Sequence, residues 1–283
     1  MNPLHKSPIL VLGPKGYLGS AFCIYLQATQ RDYAAESWRF SHQDDLSPLH
    51  DMLSYYNPKL VINCIAYIPQ PTVDACKDHP DRTIQTNIIF PLLLAKACER
   101  RGVPLMHLST GCLYDEQNVY RESDMPTRGW PGNCGCYVGG KLMAEKYVTN
   151  YRRGYVLRLR LPFDHLDSKR NYLSKLANFS RVYDHVNSLT HRGDFVRAAI
   201  ELFEKQAPFG IYHLTNPGFV SAAEVIEKMI AHKLIGHLPQ IVKSETTGCK
   251  LATDKLSELG IAMRPVKEAL DDALTNWQKA KDV

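Results

Sequence analysis

The stretch that decides the fold lies near the start of the chain and reads Ile9-Leu10-Val11-Leu12-Gly13-Pro14-Lys15-Gly16-Tyr17-Leu18-Gly19. Its four apolar residues are typical of a strand buried on both faces in a parallel sheet. The three glycines, spaced Gly-x-x-Gly-x-x-Gly, allow a tight turn from strand to helix and a close approach of a pyrophosphate to the helix N-terminus. An ordinary glycine turn is the alternative, but the placement directly after the first strand favours a dinucleotide-binding unit.

Further along the chain, apolar runs that are typical of buried strands alternate with helix-like segments. Residues 60–66 and 155–161 are strand-like, and residues 83–101 predict a long helix that Gly102 closes. Alternation of this kind predicts an α/β fold, a Rossmann-type doubly wound parallel sheet with a smaller C-terminal substrate-binding domain.

The alternation of strands and helices loosens beyond Pro162, which indicates a change of domain. We predict a cofactor-binding domain over residues 1–160, to which part of residues 185–215 returns. Residues 161–283 are then expected to form mainly the substrate-binding domain. In such a fold the ligands bind across the carboxyl ends of the strands.

A second stretch, Cys136-Tyr137-Val138-Gly139-Gly140-Lys141, carries side chains suited to carbonyl chemistry. Tyr137 and Lys141 are four residues apart, so on a helix they share one face. An ammonium beside a phenol favours the phenolate, and a tyrosine with a lowered pKa can donate a proton to a carbonyl oxygen. The motif alone is weak, and a plain surface helix is the alternative. A hydroxyl at the end of the strand before it, in Ser109-Thr110, can share the same carbonyl substrate.

Composition and charge exclude several classes of protein. The chain has 283 residues, eight of them cysteine, and a formal net charge of +5 without a block of Lys or Arg, which argues against nucleic-acid binding. We find no secretory leader and no apolar run of about eighteen residues, and therefore expect no membrane association, a cytoplasmic protein and reduced thiols. Cys134 and Cys136 lack a second pair at zinc-site spacing, so no metal site is expected. A homodimer is compatible with the sequence.

The preferred cofactor depends on the end of the second strand, which we expect between Tyr33 and Phe40. In dinucleotide-binding folds this strand end contacts the adenosine ribose. Glu36 would favour the free 2′-hydroxyl of NADH, whereas Arg39 would favour the 2′-phosphate of NADPH, which a guanidinium binds bidentately. Arg39 lies nearer the expected strand end, so we predict NADPH, with NADH as the alternative.

Seven further segments are distinctive, namely residues 72–76, 86–87, 110–112, 157–162, 170–175, 187–190 and 210–218. Together with the glycine turn and the Tyr-x-x-x-Lys helix, they resemble extended short-chain dehydrogenase/reductases of the dTDP-4-dehydrorhamnose reductase type. The likeness is greatest to the bifunctional 3,5-epimerase/4-keto-reductases that convert UDP-4-keto-6-deoxyglucose to UDP-rhamnose. It spans nearly the whole chain.

The resemblance implies a reductase set of Thr110, Tyr137 and Lys141. Tyr137 would protonate oxygen 4 of the sugar as hydride from NADPH reaches carbon 4. Lys141 would hold the nicotinamide ribose and lower the pKa of Tyr137, and Thr110 would hydrogen-bond the keto oxygen. Asn87 would support the proton path.

The resemblance also implies that Cys112 and Lys175 carry out the epimerisation. The hydrogens on carbons 3 and 5 are acidic because the ketone at carbon 4 stabilises an enolate. A thiol and an amine with shifted pKa values can remove and return a proton on opposite faces, while Tyr137 stabilises the enolate oxygen. The alternatives are a small buried hydrophobe for Cys112 and a helix-surface charge for Lys175.

The ligand contacts expected from these considerations fall into two sets. For the cofactor they are Gly13, Lys15, Gly16, Tyr17, Leu18, Gly19, Arg39, Asp45, Leu46, Cys64, Ala66, Tyr137, Lys141 and Leu161. For the substrate, a nucleotide-linked and most favourably UDP-linked sugar, they are Asn87, Thr110, Cys112, Asn171, Lys175 and Asn216.

Residues 67–71 and 115–135 depart from the pattern of the family and leave the nucleotide and the sugar open. Two other functions therefore remain as alternatives. One is a 4-keto-reductase without epimerase activity. The other is a non-catalytic regulatory subunit, like the methionine adenosyltransferase β subunit, against which the intact reductase set argues.

Overall fold

The computed structural model describes residues 7–38, 46–69, 72–114, 118–128, 135–236, 238–243 and 248–277. The chain divides into two compact units. The first unit takes its described residues from 1–113, 128–157 and 208–212, and the second from 114–127, 158–207 and 213–283.

The strands are short. In chain order they are β1 (Ile9–Leu12), β2 (Tyr33–Glu36), β3 (Leu60–Asn63), β4 (Leu105–Thr110), β5 (Val119–Tyr120), β6 (Gly154–Leu159), β7 (Pro162–Phe163), β8 (Arg181–Tyr183), β9 (Val186–Asn187), β10 (Thr190–His191), β11 (Gly210–His213), β12 (Val220–Ser221), β13 (Gln240–Val242) and β14 (Lys250–Leu251).

The helices alternate with the strands as far as β6. They are α1 (Tyr17–Ala28), α2 (Ser47–Tyr56), α3 (Pro80–Ile84), α4 (Phe90–Arg101), α5 (Cys136–Asn150), α6 (Tyr172–Asn178), α7 (Arg192–Glu204), α8 (Ala222–Ala231), α9 (Asp254–Glu258) and α10 (Val266–Thr275). A 3-10 helix spans Val73–Asp78, and a π-helical turn at Gln85–Ile89 joins α3 to α4.

The central sheet has six strands in the order β11-β6-β4-β3-β1-β2. Parallel registers pair Leu12 with Glu36 and Asn63, and Asn63 with His107. Every residue of β1, β3 and β4 is buried, which explains their apolar runs without alternation. The chain winds outward from β1 in both directions, so β1 and β3 form the switch point at which such sheets bind ligands. The predicted doubly wound α/β fold is confirmed.

Each unit has its own hydrophobic core. In the first, the inward side chains of β1, β3 and β4 pack against α2, α4 and α5, for example Leu12 and Leu105 against Leu53 and Leu94. In the second, α8 and α10 pack together with Phe163 and neighbouring side chains. Ser221 and Glu224 begin α8 with a capping box, which satisfies backbone N–H groups of its first turn.

Two regions differ from the sequence prediction. The single helix expected over residues 83–101 is three pieces, because the π-helical turn Gln85–Ile89 interrupts it. The 67–81 segment, expected as a loop, contains the 3-10 helix Val73–Asp78, which the side chain of Thr72 caps. Gly102 ends α4 with a φ of 65°, as expected for a glycine at that position.

No helix within the described part of the chain combines the length and apolar character that a bilayer crossing requires.

Candidate active site

The glycine turn of the first unit has the geometry that a dinucleotide requires. Gly13 has a φ of 79°, and a Cβ placed on Gly19 would lie 2.1 Å from the carbonyl oxygen of Gly13. Glycine is therefore required at both positions. Gly16 is the N-cap of α1 and brings no capping side chain, while Lys15 and Gly16 are exposed. The start of α1 is thus open to an anion such as a pyrophosphate.

The end of β3 forms the other side of the switch point. Cys64 N donates to Leu12 O at 3.0 Å, and a Cβ on Gly13 would lie 3.0 Å from Ile65 Cγ1. The close packing leaves Cys64 and Ala66 beside the glycine turn, where cofactor contacts were expected. Burial raises the pKa of the Cys64 thiol, so the thiol is protonated at neutral pH.

Of the two residues expected to contact the adenosine ribose, the structure describes Glu36. Glu36 ends β2, and its carboxylate accepts hydrogen bonds from Tyr56 Oη at 2.8 Å and from Ser37 N at 3.2 Å. The bond to Glu36 raises the pKa of Tyr56. Leu46 packs partly buried against the core. Two expected cofactor contacts, Arg39 and Asp45, lie outside the described residues.

Tyr137 and Lys141 lie on α5, which packs against β4 and the π-helical turn. Both side chains are buried, and Lys141 Nζ donates to Leu108 O at 2.8 Å. Burial lowers the pKa of Lys141 to about 8, against the charge of Glu145, which raises it. A Cβ on Gly140 would lie 3.4 Å from Asn87 Cβ, so the small residue permits a close approach of α5 to the π-helical turn.

Thr110 is the last residue of β4, and Cys112 lies two residues later in the turn that follows. The hydroxyl of Thr110 accepts a hydrogen bond from Cys112 N at 3.1 Å, which fixes the turn after the strand. Cys112 is half-buried rather than sealed in the core. Together with Tyr137 and Lys141, these residues come from two elements of the first unit that pack on each other.

The side chain of Asn87 holds the backbone at Tyr67. Its Oδ1 accepts from Tyr67 N at 2.8 Å, and its Nδ2 donates to Tyr67 O at 3.0 Å. Asn87 is 1% exposed, and its amide is thus engaged in ordering the segment after β3. A direct part in proton transfer stays a prediction.

Four predicted site residues belong to the second unit. Leu161 adopts a φ of 42°, which is unusual for a residue with a side chain. Lys175 lies half-buried on α6, and burial followed by the charge of Arg170 lowers its pKa. Asn171 and Asn216 are both 0% exposed.

The amides of these two asparagines have internal partners. Asn171 caps α6 through Leu173 N and donates to Leu166 O at 2.8 Å. Asn216 accepts from His191 N at 2.6 Å and donates to Asp194 Oδ2 at 2.8 Å. These bonds give both asparagines a structural role, and a substrate contact stays a prediction.

Three buried polar residues, Asn63, His107 and Glu145, were missed from the sequence, and Ser109 was expected only as a hydroxyl for the substrate. Glu145 lies one helical turn after Lys141, and Ser109 Oγ donates to its Oε1 at 2.5 Å. The spacing Tyr137, Lys141, Glu145 was a usable signal, since all three share a helix face. Among the described residues, no group of three or more His, Cys, Asp or Glu side chains is arranged to hold a metal ion.

Comparisons with known proteins agree with this architecture. The sequence pattern of the RmlD substrate binding domain matches residues 7–281. A bifunctional dTDP-4-dehydrorhamnose 3,5-epimerase/dTDP-4-dehydrorhamnose reductase of Arabidopsis thaliana is 31% identical over 227 residues, which cover 77% of this chain and 73% of that protein.

Two solved structures share the fold. The UDP-rhamnose synthase of Acanthamoeba polyphaga mimivirus superposes with a TM-score of 0.84 at 21% identity, covering 95% of this chain and 99% of that one. The dTDP-4-dehydrorhamnose reductase of Bacillus anthracis, solved in complex with NADP, gives 0.80 at 18% identity, covering 97% and 99%. The match over residues 7–281, with the similarity to the Arabidopsis protein, shows that the chain belongs to the RmlD substrate binding domain family.

Proposed function

We propose that this protein is an NADPH-dependent 4-keto-reductase that also epimerises carbons 3 and 5 of a nucleotide-linked 4-keto-6-deoxyhexose. The observation that carries the proposal is the arrangement of α5 on β4. Tyr137 and Lys141 share a buried helix face, and the lysine is fixed to Leu108 O two residues before Thr110. The family supports the reductase, because its Arabidopsis member is named for that activity.

The fit of the chain to a nicotinamide dinucleotide rests on the glycine turn. Side chains are excluded at Gly13 and Gly19, and the start of α1 is open to a pyrophosphate. When bound, NADPH supplies the hydride. Arg39 remains our choice for the 2′-phosphate, whereas Glu36 at the end of β2 would suit the ribose hydroxyl of NADH. Both cofactors therefore belong in the assay.

In the reduction, Tyr137 donates a proton to oxygen 4 of the sugar. The charge that remains on the phenolate is stabilised by the ammonium of Lys141. Thr110 donates a hydrogen bond to the same oxygen and helps to polarise the ketone. Burial of both Tyr137 and Lys141 excludes water and strengthens these interactions.

In the epimerisation, Cys112 and Lys175 exchange protons at carbons 3 and 5. The lowered pKa of Lys175 raises the fraction of neutral amine that can act as a base. A half-buried thiol at Cys112 is accessible for the return of a proton. The same polarised ketone stabilises the enolate, so one carbonyl serves both reactions.

The test is turnover of UDP-4-keto-6-deoxyglucose with NADPH in heavy water, followed by NMR of the product. We expect UDP-rhamnose with deuterium at carbons 3 and 5. Reaction of the dTDP-linked sugar and of NADH in parallel defines the preferred nucleotide and cofactor. Tyr137→Phe is the control for chemistry at the site, and absence of NADPH oxidation with all of these sugars would refute the proposal.

Replacement of Cys112 separates the two activities. Cys112→Ser should lose inversion at carbons 3 and 5, and with it UDP-rhamnose formation, because the hydroxyl is a far weaker acid than the thiol, while NADPH-dependent reduction of a pre-epimerised 4-keto sugar continues. Cys23→Ser, at another half-buried thiol, is the matched control. Unchanged UDP-rhamnose formation in Cys112→Ser would remove this cysteine from the mechanism. Reduction by the unaltered protein without deuterium at either carbon would leave a reductase alone.

A further inference from the structure

The interface between β4 and α5 contains a group of buried polar side chains. Its members are Asn63, His107, Ser109, Lys141 and Glu145, and none is more than 4% exposed. We call this group the polar layer. Only Lys141 has a part in the reaction described above, so the layer contains a buried carboxylate, Glu145, for which that reaction gives no reason. Buried charges are rare unless they are paired.

Two neighbouring residues of β4 hold two residues one turn apart on α5. Leu108 O accepts a hydrogen bond from Lys141 Nζ at 2.8 Å, and Ser109 Oγ donates to Glu145 Oε1 at 2.5 Å. The positions of the ammonium and the carboxylate are therefore both set by the strand that ends at Thr110. A carboxylate that accepts a hydroxyl donor is stabilised in its charged form.

The imidazole of His107 is neutral in this layer. Asn63 Oδ1 accepts from Ile65 N at 3.0 Å, so its Nδ2 is the donor toward His107 Nδ1 at 3.1 Å. Nδ1 is then an acceptor and the proton is on Nε2. Burial and the charge of Lys141 lower the pKa of His107 well below its usual range. His107 thus adds no second positive charge beside Lys141 at neutral pH.

The titratable groups that face Lys141 come from three elements. The end of β3 contributes Cys64, whose pKa burial raises, and β4 contributes the neutral His107. Its own helix contributes Tyr137 and Glu145. Burial lowers the pKa of Lys141 to about 8, and of these groups Glu145 has the largest opposing effect. Among the neighbours of this lysine, which is only 3% exposed, Glu145 is therefore the one that most favours the ammonium form.

We propose that Glu145 is a positioning residue of the reductase, and that its carboxylate, fixed by Ser109, favours the protonated form of Lys141 that supports Tyr137. The inference rests on the proposed function and adds to it the group that controls the catalytic lysine. It assigns Ser109 a supporting role through Glu145. Neither residue needs to touch the substrate or the cofactor.

Removal of the carboxylate charge gives the first test, which needs no substrate. In Glu145→Gln the shape is kept and the amide oxygen can still accept from Ser109. We expect the pKa of Lys141 to fall by about one pH unit or more, as measured by NMR titration of protein with 13C- and 15N-labelled lysine. The Lys141 signal is assigned by its loss in Lys141→Met. Glu99→Gln, the same change at an exposed position of α4, should leave the titration unchanged.

The second test is the pH profile of kcat for reduction. Because neutral Lys141 cannot stabilise the phenolate of Tyr137, the alkaline limb of Glu145→Gln should move to lower pH by the same amount. Glu145→Asp, which keeps the charge, should restore most of the profile. Ser109→Ala should move the limb in the same direction by less, and it replaces Glu145→Gln if that variant does not fold.

The results of the two experiments distinguish a failure of this inference from a failure of the proposed function. An unchanged Lys141 titration in folded Glu145→Gln and Ser109→Ala proteins overturns the role of Glu145, whatever the enzyme reduces. A lowered Lys141 pKa in a protein that reduces no 4-keto sugar nucleotide would refute the proposed function while the electrostatic coupling stands. A titration shift without movement of the kinetic limb would overturn the link from Glu145 to catalysis.

Discussion

Lys141 on α5 is buried and Lys175 on α6 is half-buried, and the charges of their neighbouring side chains have opposite signs. Burial lowers the pKa of each. At Lys141 the carboxylate of Glu145 opposes the effect of burial, whereas at Lys175 the guanidinium of Arg170 adds to it. The charged neighbour therefore favours the ammonium of the first lysine and the free amine of the second.

This difference matches the two reactions proposed for the protein. A reductase needs a cation that stabilises the tyrosine phenolate, and an epimerase needs a base that removes a proton from carbon. The same residue type can serve both needs because a charged neighbour opposes the effect of burial at one lysine and adds to it at the other. The two lysines also differ in burial, since Lys141 is 3% exposed and Lys175 is half-buried.

The largest effect should come from removing the first lysine. Lys141→Met should lower kcat for reduction by about 10²- to 10⁴-fold, because the tyrosine loses its electrostatic partner and the contribution of acid catalysis. Steady-state NADPH oxidation with the 4-keto sugar measures it. Lys96→Met, at an exposed position of α4, is the control. A loss smaller than tenfold would contradict the role of Lys141.

A smaller effect is expected when the neighbour of the second lysine is changed. Arg170→Gln removes a positive charge, so the pKa of Lys175 should rise and less of it should be neutral near pH 7. Deuterium exchange at carbons 3 and 5 should fall by about 3- to 10-fold, and the ascending limb of its pH profile, which reports deprotonation of the base, should move to higher pH. This shift is opposite in sign to that of Glu145→Gln. Faster deuterium exchange in Arg170→Gln than in the unaltered protein would contradict the proposed effect of Arg170 on Lys175.

The smallest effect on catalysis should come from a charge that serves structure alone. Burial would raise the pKa of Asp194, but the nearby His191 and the hydrogen bonds from Arg264 and Asn216 lower it to about 2. Its folded-state pKa is below the unfolded value near 3.9, so its stabilisation is present above about pH 4 and is lost as the pH falls toward 2.

Asp194→Asn should therefore lower the free energy of unfolding at pH 7 by about 2 kcal/mol, with less difference at pH 2.5. Urea unfolding at the two pH values measures it. The kcat of folded protein should stay within about twofold, and Asp271→Asn, at a half-exposed carboxylate, is the control. Equal stability of Asp194→Asn and the unaltered protein at pH 7 would contradict this role.

Much of the first unit followed from local sequence. The run from Ile9 to Gly19 is a buried strand, a glycine turn and a helix as predicted, and α5 begins at Cys136, so Tyr137 and Lys141 share a helix face. These features depend on residues that are close in sequence. Periodicity and turn chemistry report such features directly.

Features that depend on contacts between distant residues could not be predicted from local sequence. The π-helical turn around Asn87 interrupts a segment whose apolar spacing predicts one helix, and the Asn87 amide within it contacts Tyr67, twenty residues earlier. The internal hydrogen bonds of the Asn171 and Asn216 amides in the second unit have no signal in local spacing either. Their expected contact with substrate stays a prediction.

For the chemistry of the site, the chain order sufficed to place Glu145 one turn from Lys141. It could not reveal that β4 would supply Ser109 to the carboxylate and Leu108 O to the ammonium, across more than thirty residues of chain. A pKa depends on burial and on the sign of nearby charges, and both arise from packing. The local motif therefore suffices to identify the proposed catalytic lysine, whereas its protonation state depends on the strand and the helix that surround it.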